Sequence, residues 1–273
     1  MCRWMAYSGG PILLEDLLFN AKHNLIDQSM SSRSRETPTN GDGFGVGWYG
    51  LREHPGLFRS TRPAWNDFNL RDIAAQVESH LFLAHVRATS LATVQETNCH
   101  PFRHGNWLFV HNGEIDQIEK IRRDLLLAVD PSYFNAILGT TDSELMFYLA
   151  LTFGLERDPP VALERMAGFV EETGRRHGIA NALWMTLGVS EGKRLWAVRY
   201  ASDGDAPTLF HSRHLDDLLL VLPELGEKFS LDTRVIVSEP IGRFAEIWVP
   251  VPQGALVEVR GPSLEVRPFR AQT

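Results

Sequence analysis

Cysteine is nearly missing from this chain: Cys2 and Cys99 are the only two in 273 residues. Two cysteines cannot build a disulfide scaffold, which excludes the small cross-linked secreted domains. The opening MCRWMAYSGGPILLED lacks the continuous apolar core of a signal peptide. Cys2 is not read as a lipid attachment point, because that modification needs a hydrophobic leader and only Met1 precedes it. No apolar run approaches the roughly 20 residues of a membrane-spanning helix. A cytoplasmic protein is expected. No stretch is dense in Lys or Arg either, and 27 basic against 34 acidic residues give a formal net charge of −7. Neither a nucleic-acid backbone nor a membrane surface is therefore expected as a partner, since both need a concentrated basic footprint. Small anionic ligands are not excluded.

Repeats, low-complexity tracts and obvious linkers are also lacking, although residues 28–43 (QSMSSRSRETPTNGDG) form a polar, turn-rich stretch expected to be a loop. The chain does have 44% hydrophobic residues and 22% charged, enough to bury a sizeable core. Helical spacing of apolar positions predicts helices over residues 11–21, 70–79, 114–129 and 142–155, the last capped by Thr141 or Asp142 with Glu144 in its first turn. Short apolar runs predict strands: CRWMAY, GFGVGWY, HLFLAHVRA, NWLFVHN, ALWMTLGVS, RLWAVRYA, TRVIVSE and ALVEVR. Residues 182–201 read as a hairpin turning at 190–193. Helices fall in blocks between runs of strands, which points to a layered α+β fold rather than a doubly wound parallel sheet.

Cys2 is the first residue with chemical promise. Small side chains at position 2 generally permit removal of the initiator Met, leaving a thiol and a free α-amine on one residue, with ordinary pKa values of about 8.5 and about 8. Such a residue carries its own base. The alternative is a packing or frayed cysteine. Arg87 ends the apolar run LFLAHVR, where a guanidinium can pair bidentately with a carboxylate or snorkel out at the sheet edge. Asn112 and Gly113 close WLFVHNG, either as a turn or as two donors converging on one oxyanion.

Met-Cys at the start, NGDGFGVGW, HVRAT, NCHPF, FVHNGEI and TTDSE, in that order, resemble the class II glutamine amidotransferases of the N-terminal nucleophile hydrolase superfamily. The resemblance is densest over residues 1–150 and extends more weakly to VIVSEPI and IWVPVPQGALVEV, as in stand-alone members such as the γ-glutamyl hydrolase of ergothioneine biosynthesis and a glutathione-degrading subunit. It implies one domain over residues 1–273, a four-layer αββα sandwich of two antiparallel sheets with Cys2 at the end of a central strand. It further implies Cys2 as nucleophile with its α-amine as base and Asn112 and Gly113 as oxyanion hole. Arg87, Asp142 and His100 become substrate-binding residues, Arg87 taking the α-carboxylate and Asp142 the α-ammonium of a glutamine-like zwitterion. Ala88 stands where biosynthetic members carry Trp, and Thr39 and Asn40 where they carry Arg-Gly.

The implied reaction is cleavage of the γ-amide of glutamine through a γ-glutamyl thioester, the ammonia passing to a partner subunit that activates the acceptor. Two alternatives stay open: hydrolysis of a γ-glutamyl peptide or thioether conjugate, and a non-catalytic subunit of the same fold. No cofactor or metal is expected. Gly45, Gly47 and Gly50 match G-x-G-x-x-G by letters, but no helix follows to receive a pyrophosphate. Cys99, His100, His104 and His111 fit no common zinc spacing. Cys99 is expected to pack beside the pocket, and Arg33 and Arg35 to be solvated in the polar loop.

Overall fold

The computed structural model describes residues 2–31, 39–88, 93–213, 215–226, 228–242 and 244–272. Its strands are β1 (Arg3–Leu13), β2 (Phe44–Tyr49), β3 (Gly56–Ser60), β4 (Glu78–Val86), β5 (Phe102–His104), β6 (Trp107–Ile115), β7 (Leu183–Ser190), β8 (Arg194–Ala201), β9 (Phe210–His211), β10 (Arg234–Val237), β11 (Val249–Pro250), β12 (Ala255–Arg260) and β13 (Ser263–Pro268). The helices are α1 (Leu25–Met30), α2 (Phe68–Ala74), α3 (Ile118–Ala128), α4 (Asp142–Thr152), α5 (Pro159–Arg176) and α6 (Leu215–Val221). Two antiparallel sheets result, in the orders β11-β9-β10-β1-β4-β2-β3 and β13-β12-β8-β7-β6-β5. None of the described helices is long and apolar enough to cross a membrane.

Alternation along the strands makes the layers. Trp4, Ala6, Leu81 and Leu83 of the first sheet meet Leu108, Val110, Leu195 and Val257 of the second, forming the core between the sheets. The opposite faces look outward onto helices: Met5, Tyr7 and Phe82 pack with Leu25, Leu70 and Leu218, and Phe109 and Leu187 pack with Leu145, Met166 and Val170. Because successive strand residues alternate faces, a one-residue slip of the Met5↔Ala84 register would carry every one of these side chains to the wrong layer. The chain is thus an α+β protein, layered helix, sheet, sheet, helix.

Every sequence-predicted strand forms, and the 182–201 hairpin is β7–β8, with Ser190 opposite Leu195. The helices needed more correction. Of residues 11–21, Pro11–Leu13 finish β1, pairing Ile12 with Ser79 after a bulge, and helical structure begins only at Leu14. Of residues 114–129, Glu114 and Ile115 stay in β6 opposite Trp184 and Leu183, and the helix starts at Ile118. The predicted 70–79 helix begins earlier, at Phe68, where the Asp67 carboxylate accepts from Leu70 N, and stops at Ala74 because Glu78 and Ser79 join β4. In each case a long-range ladder overrode local spacing. The polar 28–43 stretch contributes Gln28–Met30 to α1, while Arg33 and Arg35 lie outside the described residues. Helix α5 was not predicted.

Candidate active site

Strand β1 is central in its sheet, flanked by β10 and β4, so the residue just ahead of it emerges where neighbouring strands also end. That residue is Cys2. Its half-buried thiol donates to the Ala88 carbonyl at 3.3 Å, which places it beside the end of β4 and close to Arg87, the neighbour of Ala88 in sequence. Burial pushes the thiol pKa up, partly offset by the Arg87 and Arg3 cations. Cys2 continues the face of Trp4 and Ala6, the face toward the second sheet.

Two cross-sheet hydrogen bonds fix what stands opposite. Trp4 Nε1 donates to Thr186 Oγ1 at 3.1 Å, and Thr186 is the register partner of Asn112 on β6. His85, which pairs with Trp4 across β1 and β4, sets its Nε2 3.1 Å from the carbonyl oxygen of His111, the residue before Asn112. Asn112 is 2% exposed, on the face shared with Val110, and its side-chain amide bonds no other described residue. Gly113 follows with φ +144°, a conformation in which a Cβ would lie 1.9 Å from the Trp184 carbonyl oxygen.

The Arg87 guanidinium is buried, 3% exposed, with only long contacts to the carbonyls of Asp42 (3.4 Å) and Thr93 (3.3 Å) and no carboxylate among the described residues. Asp142 opens α4. Its Oδ2 accepts from Ile115 N at 2.8 Å, bringing it to the end of β6, and its Oδ1 accepts from Ser143 N at 2.8 Å. Thr141 is the cap, its Oγ1 accepting from Glu144 N at 3.2 Å, so Asp142 sits in the first turn at the positive end of the helix dipole. Cys2, Arg87, the adjacent pair Asn112 and Gly113, and Asp142 come from four separate parts of the sequence and are connected through Ala88, the Trp4–Thr186 bond and Ile115, with a cation and an anion on different elements.

His100 is placed differently. It is 3% exposed, its ring tilted against those of His85 and Phe102 with centroids 4.1 Å and 4.5 Å away, and neither ring nitrogen has a partner among the described residues. Burial, reinforced by the neighbouring histidines and Arg87, holds its pKa well below the ordinary value, and burial pushes that of His85 down to about 3. His111 Nδ1 lies 2.8 Å from Ser143 Oγ. Cys99 is fully buried, bonded to the Ser60 carbonyl at 3.4 Å, and its thiol is pushed up to about 11 chiefly by burial. Gly45 and Gly47 lie within β2, where Cβ atoms would fall 2.2 Å from the His100 carbonyl oxygen and 2.8 Å from Leu108. These glycines allow close approach of neighbouring chain and form no phosphate-binding turn. Among the described residues no group of three or more His, Cys, Asp or Glu is placed to hold a metal ion.

Sequence reading missed the supports. Asn98 Nδ2 donates to the Thr93 carbonyl (2.9 Å) and Thr140 Oγ1 (3.0 Å) while Oδ1 accepts from Thr140 N (2.7 Å), tying the segment before β5 to the loop before α4. Glu144 accepts from Leu138 N at 3.1 Å and Gly139 N at 2.6 Å in that same loop. Both lie inside the motifs NCHPF and TTDSE, which was the available signal. The Trp4–Thr186 link had none.

The class II glutamine amidotransferase profile matches residues 19–268. A probable glutamine amidotransferase of Saccharomyces cerevisiae, DUG3, is 31% identical over 98% of this chain and 84% of its own length. The gamma-glutamyl-hercynylcysteine sulfoxide hydrolase of Mycolicibacterium smegmatis is 26% identical over 98% of this chain and all of its own. The solved structure of a glutamine aminotransferase class-II domain protein of Silicibacter pomeroyi superposes with a TM-score of 0.77 at 32% identity, covering both chains fully. A profile match over most of the chain, full-length relatives that are enzymes and the layered antiparallel sheets agree: this protein belongs to the class II glutamine amidotransferases.

Proposed function

We propose that the protein cleaves the γ-amide of glutamine with Cys2 as nucleophile, an N-terminal nucleophile once Met1 is removed. The observation that carries this is the Cys2 thiol 3.3 Å from the carbonyl of Ala88, beside the buried Arg87 and on the face that meets Asn112. The family profile begins at residue 19, so the case for Cys2 rests on this geometry.

Arg87 takes the substrate α-carboxylate and Asp142 its α-ammonium, which fixes the γ-carbonyl over sulfur. A thiol pushed up by burial needs a base to become nucleophilic, and the freed α-amine of Cys2 supplies it. Sulfur attacks the γ-carbon. The oxyanion rests on the Asn112 amide and the Gly113 N–H. The amine passes the thiol proton to departing ammonia, and water hydrolyses the γ-glutamyl thioester to glutamate and free thiol. His100 supports the site through its ring contact with His85, whose Nε2 meets the His111 carbonyl. Ammonia delivery to an acceptor-activating partner belongs to this reading, in a cytoplasmic setting. The end-to-end match to the mycobacterial hydrolase favours a second reading, in which the leaving group is larger than ammonia.

The test is glutamate release from glutamine and from a γ-glutamyl peptide in parallel, with intact mass showing loss of Met1. Release from glutamine supports the amidohydrolase, and preferential release from the peptide the second reading. Cys2→Ala is expected to abolish both. Full activity in Cys2→Ala, or none in the processed wild type, would overturn the assignment.

A further inference from the structure

The residue after the nucleophile has no part in the chemistry above, yet it is a buried cation at a strand start. Arg3 is 6% exposed. Its Nη1 donates to the Cys2 carbonyl at 2.9 Å and its Nε to Glu239 Oε2 at 3.1 Å. Glu239, 8% exposed, follows β10 and also faces His23 Nε2, 2.9 Å from Oε1. Gln28 Nε2 of α1 then reaches the carbonyls of His23 (3.1 Å), Glu239 (3.3 Å) and Pro240 (3.3 Å). The turn before α1 and the loop after β10 are thereby gathered around one carboxylate that grips Arg3. Stability alone does not call for this, since buried ion pairs seldom outdo well-packed apolar groups of the same volume.

We infer that Arg3, held by Glu239, is a positioning residue for Cys2. A guanidinium bonded to the Cys2 carbonyl fixes the Cys2–Arg3 peptide plane, and with it the position of the Cys2 Cα and the Cα–C axis that carries the thiol and α-amine, while the bond of the thiol to the Ala88 carbonyl sets the turn about that axis. Sulfur has to point at the substrate γ-carbon while the amine on the same Cα stays within reach of the moving proton. A tilt of that plane displaces both at once, because in the proposed processed form no preceding peptide holds Cys2 from its other side. Glu239 has the complementary role. Anchored by His23, it stops the Arg3 side chain from following the carbonyl if the peptide turns. This inference rests on the nucleophile assignment above.

The experiment compares kcat and KM for glutamate release, melting temperature and Met1 removal in wild type, Arg3→Lys, Arg3→Met and the double variant Arg3→Met with Glu239→Leu. Arg3→Met is expected to lower kcat by roughly ten- to a hundredfold, the worth of one buried charge-assisted hydrogen bond, with KM within about twofold because Arg87 and Asp142 are untouched. Arg3→Lys, which keeps the charge on a single donor nitrogen, should recover part of kcat. The double variant leaves no stranded carboxylate, so its melting temperature should return toward wild type while kcat stays low. Wild-type kcat in either Met variant overturns the inference, as does recovery of kcat together with melting temperature. A processed wild type that is inactive on every γ-glutamyl substrate overturns the nucleophile assignment, and the inference with it.

Discussion

At Gly113 the backbone takes φ +144°, and the nearest atom to an added Cβ would be the Trp184 carbonyl oxygen on the neighbouring strand. Gly113→Ala therefore meets strain and a backbone clash together. A loss of about 2–4 kcal/mol is expected, from the combined range for a forced backbone conformation and overpacking, with glutamate release falling further than stability explains because β6 must shift at the proposed oxyanion hole. Urea unfolding alongside kinetics checks it, and an unchanged midpoint would show that β6 yields without cost. Residue identities were legible here to an unusual degree: Asn112 and Gly113 end an apolar run with a turn signal, and Arg87 is a charge where a strand pattern calls for none. What was not legible is the environment of each. Cys99 was expected to be a packing residue and is buried under Gly43, but only the fold shows its neighbour His100 equally enclosed, against the His85 ring.

Among the elements, the loop before α4 carries the greatest local consequence. Asn98 is buried and hydrogen-bonded to Thr93, Thr140 and Gln95, and Glu144 holds the other side of the same loop through Leu138 and Gly139. Asn98→Ala removes the acceptor of the Thr140 N–H and leaves the Thr93 carbonyl only its long contact with Arg87, so a loss of about 0.5–1.5 kcal/mol per hydrogen bond is expected. Because Asp142 follows directly, KM for glutamine should rise as well, and a stability loss with unchanged KM would separate the loop from the site. Strand patterns were readable because alternation and bounding turns are local properties. Helix boundaries were not, since Pro11–Leu13 and Glu114–Ile115 extend into ladders with Ser79 and Trp184 that no window on the sequence contains. Helix α5 escaped for another reason: its apolar stripe, Ala162, Leu163, Met166, Ala167 and Val170, is at helical spacing but is interrupted by two prolines at its start and by Gly168, where the Gln272 backbone crosses.

At the scale of the whole molecule, the sandwich encloses His85, His100 and His111 in neutral form, each with its pKa lowered, first of all by burial. The unfolded chain binds protons on these rings below about pH 6.5, and the folded chain does not. Stability is therefore full above about pH 6.5 and falls as pH drops through the window toward 3, where His85 titrates in the fold. The slope reaches about 1.4 kcal/mol per pH unit for each histidine. Melting temperature should fall between pH 6.5 and 5, before ordinary carboxylates protonate, and fall less steeply in His100→Phe, which removes one of the three. Equal slopes in the two proteins would mean that His100 takes up a proton without unfolding.

By itself the sequence determined the chemistry on offer and the layer class: residue types at strand ends and an α+β order of elements are written in short windows, and the motif order is a linear property. Only the tertiary structure decided which of those residues meet. Cys2 reaches Ala88 across a separation of 86 residues in sequence, Trp4 reaches Thr186 across the gap between sheets, and Arg3 is clamped by Glu239 from the far end of the chain. Such juxtapositions follow from register and sheet packing, in which a contact is set by every residue between the partners and by none of them alone.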